Sequence, residues 1–217
     1  MDKLAKGTQN TRERILEAAA RIVVDRGIGG LRIRDIAVSV GIREGSLYNN
    51  FSGREEIIRA LFVDIGKNLA PFGEILDLYT ASPVQLEMTR DFIRKEGLAG
   101  FFTETGKHLS RFFQENPDSL RLLQAVLSAR FHDESARKAY EEIFLGDIFK
   151  VIRTVCHFAA DDGKLEKSIQ AQALAELFAA AFEYAIGQSF ASDGLAKLNT
   201  TLNNLMLTIG IMVTPKM

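Results

Sequence analysis

The spacing of hydrophobic residues predicts a chain that is helical almost throughout. Near the N-terminus, apolar residues recur three or four positions apart, as one buried face of an α-helix requires. This first predicted helix begins at Asn10 or Thr11, where Asn10 and Glu13 resemble a capping box, and it ends at Gly27. Its buried positions are Ile15, Ala18, Ala19, Ile22 and Val23.

Two short helices joined by a tight turn are predicted next, over about 33–40 and 44–50. The turn falls at Gly41, since glycine accepts unusual backbone angles without a Cβ clash. Leu47 and Phe51, four residues apart, form the inner face of the second helix. Its outer face carries residues able to contact phosphates or base edges: Arg43, Glu44, Ser46, Tyr48 and Asn49. This is the layout of a helix-turn-helix.

The remaining pattern predicts longer helices and sets the fold class. We expect an all-α protein of about nine helices: an N-terminal helix-turn-helix domain of three helices over residues 1–53, and a helical ligand-binding and dimerisation domain over residues 54–217. Residues 1–9, with Lys3 and Lys6, are expected to form an arm before the first helix. The later helices are predicted over 54–65, 84–95, 97–115, 119–131, 133–160, 168–190 and 195–212.

Composition narrows the class of protein further. The 217 residues are 47% hydrophobic and 25% charged, and they contain one cysteine, so no internal disulfide framework is possible. We find neither a signal-peptide pattern nor an apolar run of 18 residues, and we expect a cytoplasmic protein without a membrane segment. Residues 1–60 carry 11 Lys and Arg against 8 Asp and Glu, whereas residues 61–217 carry 16 against 20. A basic head on an acidic body suits a protein that presents its N-terminal end to a polyanion.

The last two predicted helices have the pattern of a dimer interface. The final helix has a seam of apolar residues at alternating spacings of three and four, and the helix before it is apolar on nearly all sides. Either these helices complete the core of one subunit, or two from each subunit form a four-helix bundle, which is the interpretation we adopt. The predicted interface residues are Leu174, Leu177, Ala181, Tyr184, Leu195, Leu198, Leu202, Leu205 and Ile209.

The body is rich in phenylalanine, and this favours either a plain aromatic core or an apolar effector pocket. In the second interpretation, a histidine or Tyr140 supplies a polar anchor among the rings. The predicted pocket residues are Phe101, Phe102, His108, Phe112, Val126, Phe131, Tyr140, Phe144, Phe178 and Phe182.

No catalytic, metal or cofactor site is predicted. His108, His132 and His157 come from separate elements and lack the spacing of metal ligands. Cys156 lies beside His157, but adjacent helical positions point about 100° apart, which does not suit a thiolate and its base.

The N-terminal residues resemble the TetR family of bacterial repressors, and the resemblance extends without a gap over about residues 8–62. The resemblance implies an all-helical homodimer that dimerises through its last two helices and releases DNA when a small molecule binds its body. The matching segments are Thr11–Ala19, Gly27, Asp35–Ala37, Gly41–Ile42, Gly45–Tyr48, Phe51 and Arg54–Glu56.

Carried over by motif position, the resemblance also implies contacts for individual residues. Ser46, Tyr48 and Arg54 would contact the DNA backbone, with Tyr48 also near a base. Arg34, Glu44 and Gly45 would face bases, and Asn49 and Asn50 would face phosphates. The alternatives are a core role for Tyr48 and simple solvated charges for Arg34 and Arg43. The chain departs from the family at Arg32 and Arg43, where a Ser or Thr usually caps a helix, and at Arg54, which replaces a lysine.

These observations predict a dimeric regulator of the repressor class that binds palindromic double-stranded DNA and responds to a small apolar or aromatic effector. The alternative is a helical module that binds a ligand or a protein partner without specific DNA binding. An enzyme is the third and weakest interpretation.

Overall fold

The computed structural model describes residues 10–69, 83–190 and 194–215, and these residues form helices joined by short connections. The expected N-terminal arm over residues 1–9 lies outside the described residues. Contacts divide the chain into two compact units. The first contains residues up to 63 together with 121–140, and the second contains residues 64–120 together with 141 onward. The predicted domain boundary after residue 53 stays a prediction.

The first unit begins with the helix-turn-helix region. Its helices are α1 (Thr11–Arg26), α2 (Ile33–Val40), α3 (Glu44–Leu47) and the start of α4 (Arg54–Leu69), with a short 3-10 helix, Ile28–Gly30, before α2. Asn10 caps α1 as predicted, since its side chain accepts a hydrogen bond from the backbone N–H of Arg12 at 3.2 Å. The unit is completed by most of α6 (Pro117–Ala129) and by α7 (Glu134–Ala139).

The second unit consists of long helices packed side by side. It contains α5 (Pro83–Glu115), α8 (Gly146–Asp161), α9 (Ala171–Gln188) and α10 (Gly194–Val213). A π-helical turn over Tyr140–Leu145 joins α7 to α8 without a break. If α7, the π-helical turn and α8 are counted as one helix, the described residues form nine helices and no strand. This agrees with the predicted all-α class.

Several predicted boundaries are wrong in detail. The structure ends α3 at Leu47, whereas the sequence predicted a helix to residue 50. The long helix predicted over 133–160 contains the π-helical turn, and α9 begins at Ala171 instead of Ser168. The break predicted between residues 95 and 97 is present inside α5, where Gly97 has a φ of 70° that only glycine adopts without strain.

The packing of α5 against α10 forms the centre of the second unit. Phe102, Phe113, Leu198 and Leu202 are fully buried there. Small residues allow the two helices to approach closely: a Cβ added to Gly210 would lie 2.8 Å from the Cα of Ala99. Since that contact is with backbone, the position has no room for a side chain.

We therefore predict that Gly210→Ala destabilises the protein, although alanine is the better helix former. Overpacking of this kind costs about 1–3 kcal/mol. The matched control is Gly146→Ala in α8, where no atom lies within 4 Å of the added Cβ. That change is expected to raise stability by about 0.5–1 kcal/mol. Urea denaturation of both variants measures the difference, and equal stability changes would contradict the close packing.

Candidate nucleic-acid interface

The turn between α2 and α3 depends on the backbone of Gly41. This residue has φ 73° and ψ 34°, a left-handed conformation that favours glycine. Its N–H donates to the carbonyls at the end of α2, and the N–H of Ile42 donates to the carbonyl of Ala37 at 3.0 Å. The hydrogen bonds that close α2 therefore also set the direction in which the chain enters α3.

The inner face of α3 is anchored by two buried side chains. Leu47 is fully buried and Phe51 is 1% exposed. With these side chains inward, the rest of the short helix faces solvent. Tyr48 is 55% exposed, which rules out the alternative that it is a core tyrosine.

Two arginines of α1 stabilise the ends of the helix-turn-helix. Arg14 donates through Nη2 to the carbonyl of Val40, at the end of α2, at 2.6 Å. Arg12 donates through Nη1 to the carbonyl of Asn50 at 2.7 Å, and its guanidinium stacks on the Phe51 ring at 4.0 Å. A guanidinium is well suited to this because it offers several N–H donors in one plane and stacks on aromatic faces.

Glu56, in the first turn of α4, completes this network. It accepts a hydrogen bond from the backbone N–H of Ser52 at 2.7 Å and lies 3.5 Å from Arg12 Nη1. The hydrogen bonds from Ser52 and the charge of Arg12 lower the pKa of Glu56, so the carboxylate is ionised at neutral pH.

Most of the residues predicted to bind DNA are exposed on or beside α2 and α3. We call this region the α2–α3 surface. Among the described residues, neither Arg32 nor Arg43 makes a side-chain cap hydrogen bond to the helix that it precedes, as the departures from the family predicted. The exposed members of the surface are Arg34, Arg43, Glu44, Gly45, Ser46, Tyr48 and Asn49.

Two predicted DNA-binding residues are already engaged within the protein. Asn50 is half-buried, and its side-chain amide donates to the carbonyl of Ser46 at 3.2 Å. Arg54 donates to the carbonyls of Ile28 and Leu31 and forms an ion pair with Asp133 at 2.8 Å. Both side chains therefore already have partners within the protein.

Sequence reasoning missed the capping role of Arg12 and Arg14 and the partners of Arg54. The Arg54–Asp133 pair joins residues 79 positions apart, so no local signal could have found it. Sequence reasoning also missed Val38, an apolar residue that is 73% exposed and lies one helical turn after Arg34.

In the second unit, several predicted pocket residues form small aromatic clusters. Phe102 contacts Phe101 and Phe178, with ring centroids 5.5 and 5.9 Å apart, and Phe144 contacts Phe182 at 5.9 Å. Phe112 makes an edge-on contact with the buried Phe113, with ring centroids 5.4 Å apart.

His108 is the polar member of the predicted pocket that lies in this unit. Its Nε2 atom is buried and has no hydrogen-bond partner among the residues that the structure describes. Burial and the nearby charge of Arg111 lower the pKa of His108, so the imidazole is neutral at pH 7. A buried polar atom without a partner suggests a place for a ligand or a water molecule.

Three other predicted pocket residues, Val126, Phe131 and Tyr140, belong to the first unit. Val126 and Tyr140 are buried, but Phe131 is 77% exposed, so its prediction as a pocket residue is wrong. The ring of Phe131 is instead stacked by the guanidinium of Arg130 at 4.2 Å, and this cation covers one face without burying it.

An exposed apolar strip runs along α9 and α10, and we call it the α9–α10 surface. Leu177 is 42% and Tyr184 60% exposed on α9, and Ile211 is 65% exposed on α10. Leu177 and Met212 line the same groove, whose volume is about 230 Å³. The further exposed residues of this surface are Ala173, Ala180, Gly187 and Leu207.

The predicted dimer seam is only partly correct as a description of this surface. Leu177, Tyr184 and Leu195 are exposed and Leu205 is half-exposed. The other predicted residues are buried within their own unit, although Leu174 and Ile209 also line the groove beside Leu177. They are Leu174, Ala181, Leu198, Leu202 and Ile209. The contacts of α10 with α5 involve other positions, where Gly210 lies against Ala99 and Met206 lies against Gly106.

Cys156 is buried, and burial raises the pKa of its thiol to about 11, so little thiolate forms at neutral pH.

Within residues 10–69, 83–190 and 194–215, no three His, Cys, Asp or Glu side chains cluster as metal ligands would. In the same ranges, no helix is long and apolar enough to cross a membrane.

The α2–α3 surface falls within a recognised family segment. The model of the family described as bacterial regulatory proteins, tetR family, matches residues 15–61. Over 88 residues, the chain is 36% identical to the HTH-type transcriptional repressor KstR2 of Mycobacterium tuberculosis, a match covering 39% of this chain and 42% of that repressor. Over 78 residues, it is 35% identical to the HTH-type transcriptional regulator UidR of Escherichia coli, covering 36% and 40%. The matches thus span less than half the length of these curated relatives.

The fold of the whole chain is similar to that of Salmonella enterica GusR. The TM-score is 0.66 at 18% identity, and the match covers 98% of this chain and 99% of that one. At this identity the likeness shows the fold alone, and it supports the predicted all-α class.

The lowered pKa of His108 predicts a specific dependence of stability on pH. As the pH falls through 6.5, the ordinary pKa of histidine, the unfolded chain gains a proton at this position before the folded chain does. The stability of the wild type relative to His108→Gln should therefore fall between pH 7.5 and 5.5. Thermal melts across this range measure it. The control is His157→Gln, whose native ring is 72% exposed. A difference between wild type and His108→Gln that stays constant with pH would contradict the assignment.

Proposed function

We propose that this chain, whose residues 15–61 match the model of the tetR family of bacterial regulatory proteins, is a homodimeric transcriptional repressor that binds a palindromic DNA site. The observation that carries the proposal is the α2–α3 surface. Its polar side chains are exposed around a four-residue helix, while Leu47 and Phe51 hold that helix from beneath.

The chemistry of the α2–α3 surface suits the major groove. Arg34 can donate two hydrogen bonds to O6 and N7 of guanine, and Glu44 can accept one from the amino group of cytosine. Ser46, Tyr48 and Asn49 can bind the DNA backbone, as can Arg43. Gly45 leaves space for close approach of a base. In this proposal, Asn50 and Arg54 act mainly through their internal bonds.

Dimerisation is the second part of the proposal. One short recognition helix contacts only a few base pairs, whereas two related by a twofold axis select a longer palindrome. The α9–α10 surface supports a twofold interface because it is apolar, and residues 198–213 of α10 contain no charged side chain. Exposed apolar patches depleted of charge are typical of protein interfaces.

Control by a small apolar or aromatic effector is the third part. The aromatic cluster around Phe102 supplies apolar contacts, and the unpaired Nε2 of His108 is available for one polar group of a ligand. An effector would change DNA affinity only if it binds two arrangements of the dimer unequally.

A binding experiment with the purified protein tests the DNA-binding part. Wild-type protein is used to select duplexes from a randomised pool, and fluorescence anisotropy then gives the affinity at two salt concentrations. We expect a palindromic site and an affinity that falls steeply with salt. Arg34→Ala should weaken binding by about 1–3 kcal/mol. Arg153→Ala removes the same charge from an exposed position on α8 and should have little effect.

Equal losses in the two arginine variants would mean that Arg34 contributes only general charge. Failure of the wild type to select any sequence would overturn the DNA-binding proposal. The alternative function, a module for a ligand or a protein partner, would then take its place.

A single charge in the α9–α10 surface is expected to break the dimer. The Ile211→Glu variant should sediment as a single chain of 24.1 kDa, and the wild type as twice that mass. Val84→Glu is the control, since Val84 is similarly exposed, at 68%, but lies on α5 outside this surface. A dimer that survives Ile211→Glu would place the interface elsewhere.

A further inference from the structure

We propose that Arg54 and Asp133 form a latch that positions α2, and that Arg54 supports DNA binding through this latch without contacting DNA. This inference rests on the proposed DNA-binding function. Every residue in it belongs to the first unit.

The guanidinium of Arg54 joins α4 to the segment that precedes α2. Its Nε donates to the carbonyl of Leu31 at 3.2 Å, and Nη2 donates to the carbonyl of Ile28 at 2.8 Å. Both residues have buried side chains, and α2 begins at Ile33, two residues after Leu31. Arg54 thereby fixes the position at which the chain enters the helix-turn-helix.

Asp133 is the acidic partner that orients this guanidinium. Its Oδ2 accepts from Nη2 of Arg54 at 2.8 Å, and its Oδ1 accepts from the backbone N–H of Ala136 at 3.0 Å, where it caps α7. The two oxygens thus serve two different elements. Since the cap holds the carboxylate in place, the carboxylate can hold the arginine in place.

A second contact ties the same turn to α4. The hydroxyl of Ser135 donates to Oε1 of Glu55, the residue after Arg54, at 3.2 Å. The first two residues of α4 are therefore both bonded to residues 133–135.

The Arg54–Asp133 pair differs from an ordinary surface ion pair. The side chains are only 31% and 17% exposed, so solvent screens the pair less than it would at the surface. Burial alone would raise the pKa of Asp133, but the hydrogen bonds from Arg54 and Ala136 outweigh it and lower the pKa. The carboxylate is therefore ionised at neutral pH, as the latch requires.

Most of the donors of Arg54 are engaged within the protein. Of the five N–H groups of a guanidinium, the one on Nε and both on Nη2 are used within the protein. A phosphate ligand needs only the positive charge and a free donor, whereas a latch needs this set of acceptors. The two roles consequently predict opposite effects for a change at Asp133.

The decisive variant is Asp133→Asn. An asparagine keeps an oxygen that can cap α7, but it loses the acceptor that faces Arg54. Removal of a negative charge would on its own strengthen or leave unchanged the binding to DNA. The latch instead predicts at least about tenfold weaker binding to the duplex that the wild type selects, with the salt slope of the wild type. A tenfold loss corresponds to about 1.4 kcal/mol.

The matched control is Glu134→Gln. It removes one negative charge from the adjacent residue, whose carboxylate pairs with Arg137 and not with Arg54. Its binding should equal or slightly exceed that of the wild type. All affinities are measured well below the melting temperature of each variant, so that a loss of folded protein does not imitate a loss of affinity.

Arg54→Lys provides the second test, which also serves if Asp133→Asn folds poorly. Lysine keeps the charge but not the planar fork, so the latch predicts weaker binding. The double variant should be little weaker than either single variant, because both remove the same interaction. Full affinity in Arg54→Lys, or tighter binding in Asp133→Asn as in Glu134→Gln, would overturn the latch. If the wild type itself selects no duplex, the proposed function fails first, and the latch fails with it.

Discussion

The burial of Leu47 and Phe51 beneath a four-residue helix is the constraint on which the rest of the structure depends. Isolated helices shorter than about 12 residues are unstable in water, so α3 cannot hold its own conformation. Its shape comes from these two buried side chains and from the arginines of α1, which bind the carbonyls of Val40 and Asn50. The exposed surface of α3 is therefore only as well defined as the packing below it.

The same dependence extends away from the helix-turn-helix. Arg54 fixes the entry to α2 and is itself held by Asp133, which caps a different helix.

Local signals in the sequence predicted much of the first unit. The apolar spacing and Gly41 predicted the bounds that the structure shows for α2, Ile33–Val40. This was possible because a buried helix face and a left-handed turn both depend on a few neighbouring residues. The contacts that depend on distant partners could not be predicted in this way. The leucine spacing of α10 identified an apolar face but could not show that Leu198 and Leu202 are buried whereas Leu195 is exposed. The prediction that Phe131 lines a pocket is wrong because the exposure of its ring depends on the surrounding backbone, which the sequence does not show.

A nuclease footprint on the DNA upstream of the gene for this chain tests the proposed dimeric DNA binding most directly. We predict a protected region that is symmetric about a twofold axis, with two half-sites about one helical turn or a multiple of it apart. Protection should weaken as salt is raised. A single unsymmetric protected segment would contradict the dimeric arrangement. The absence of protection there and on genomic fragments would contradict DNA binding itself.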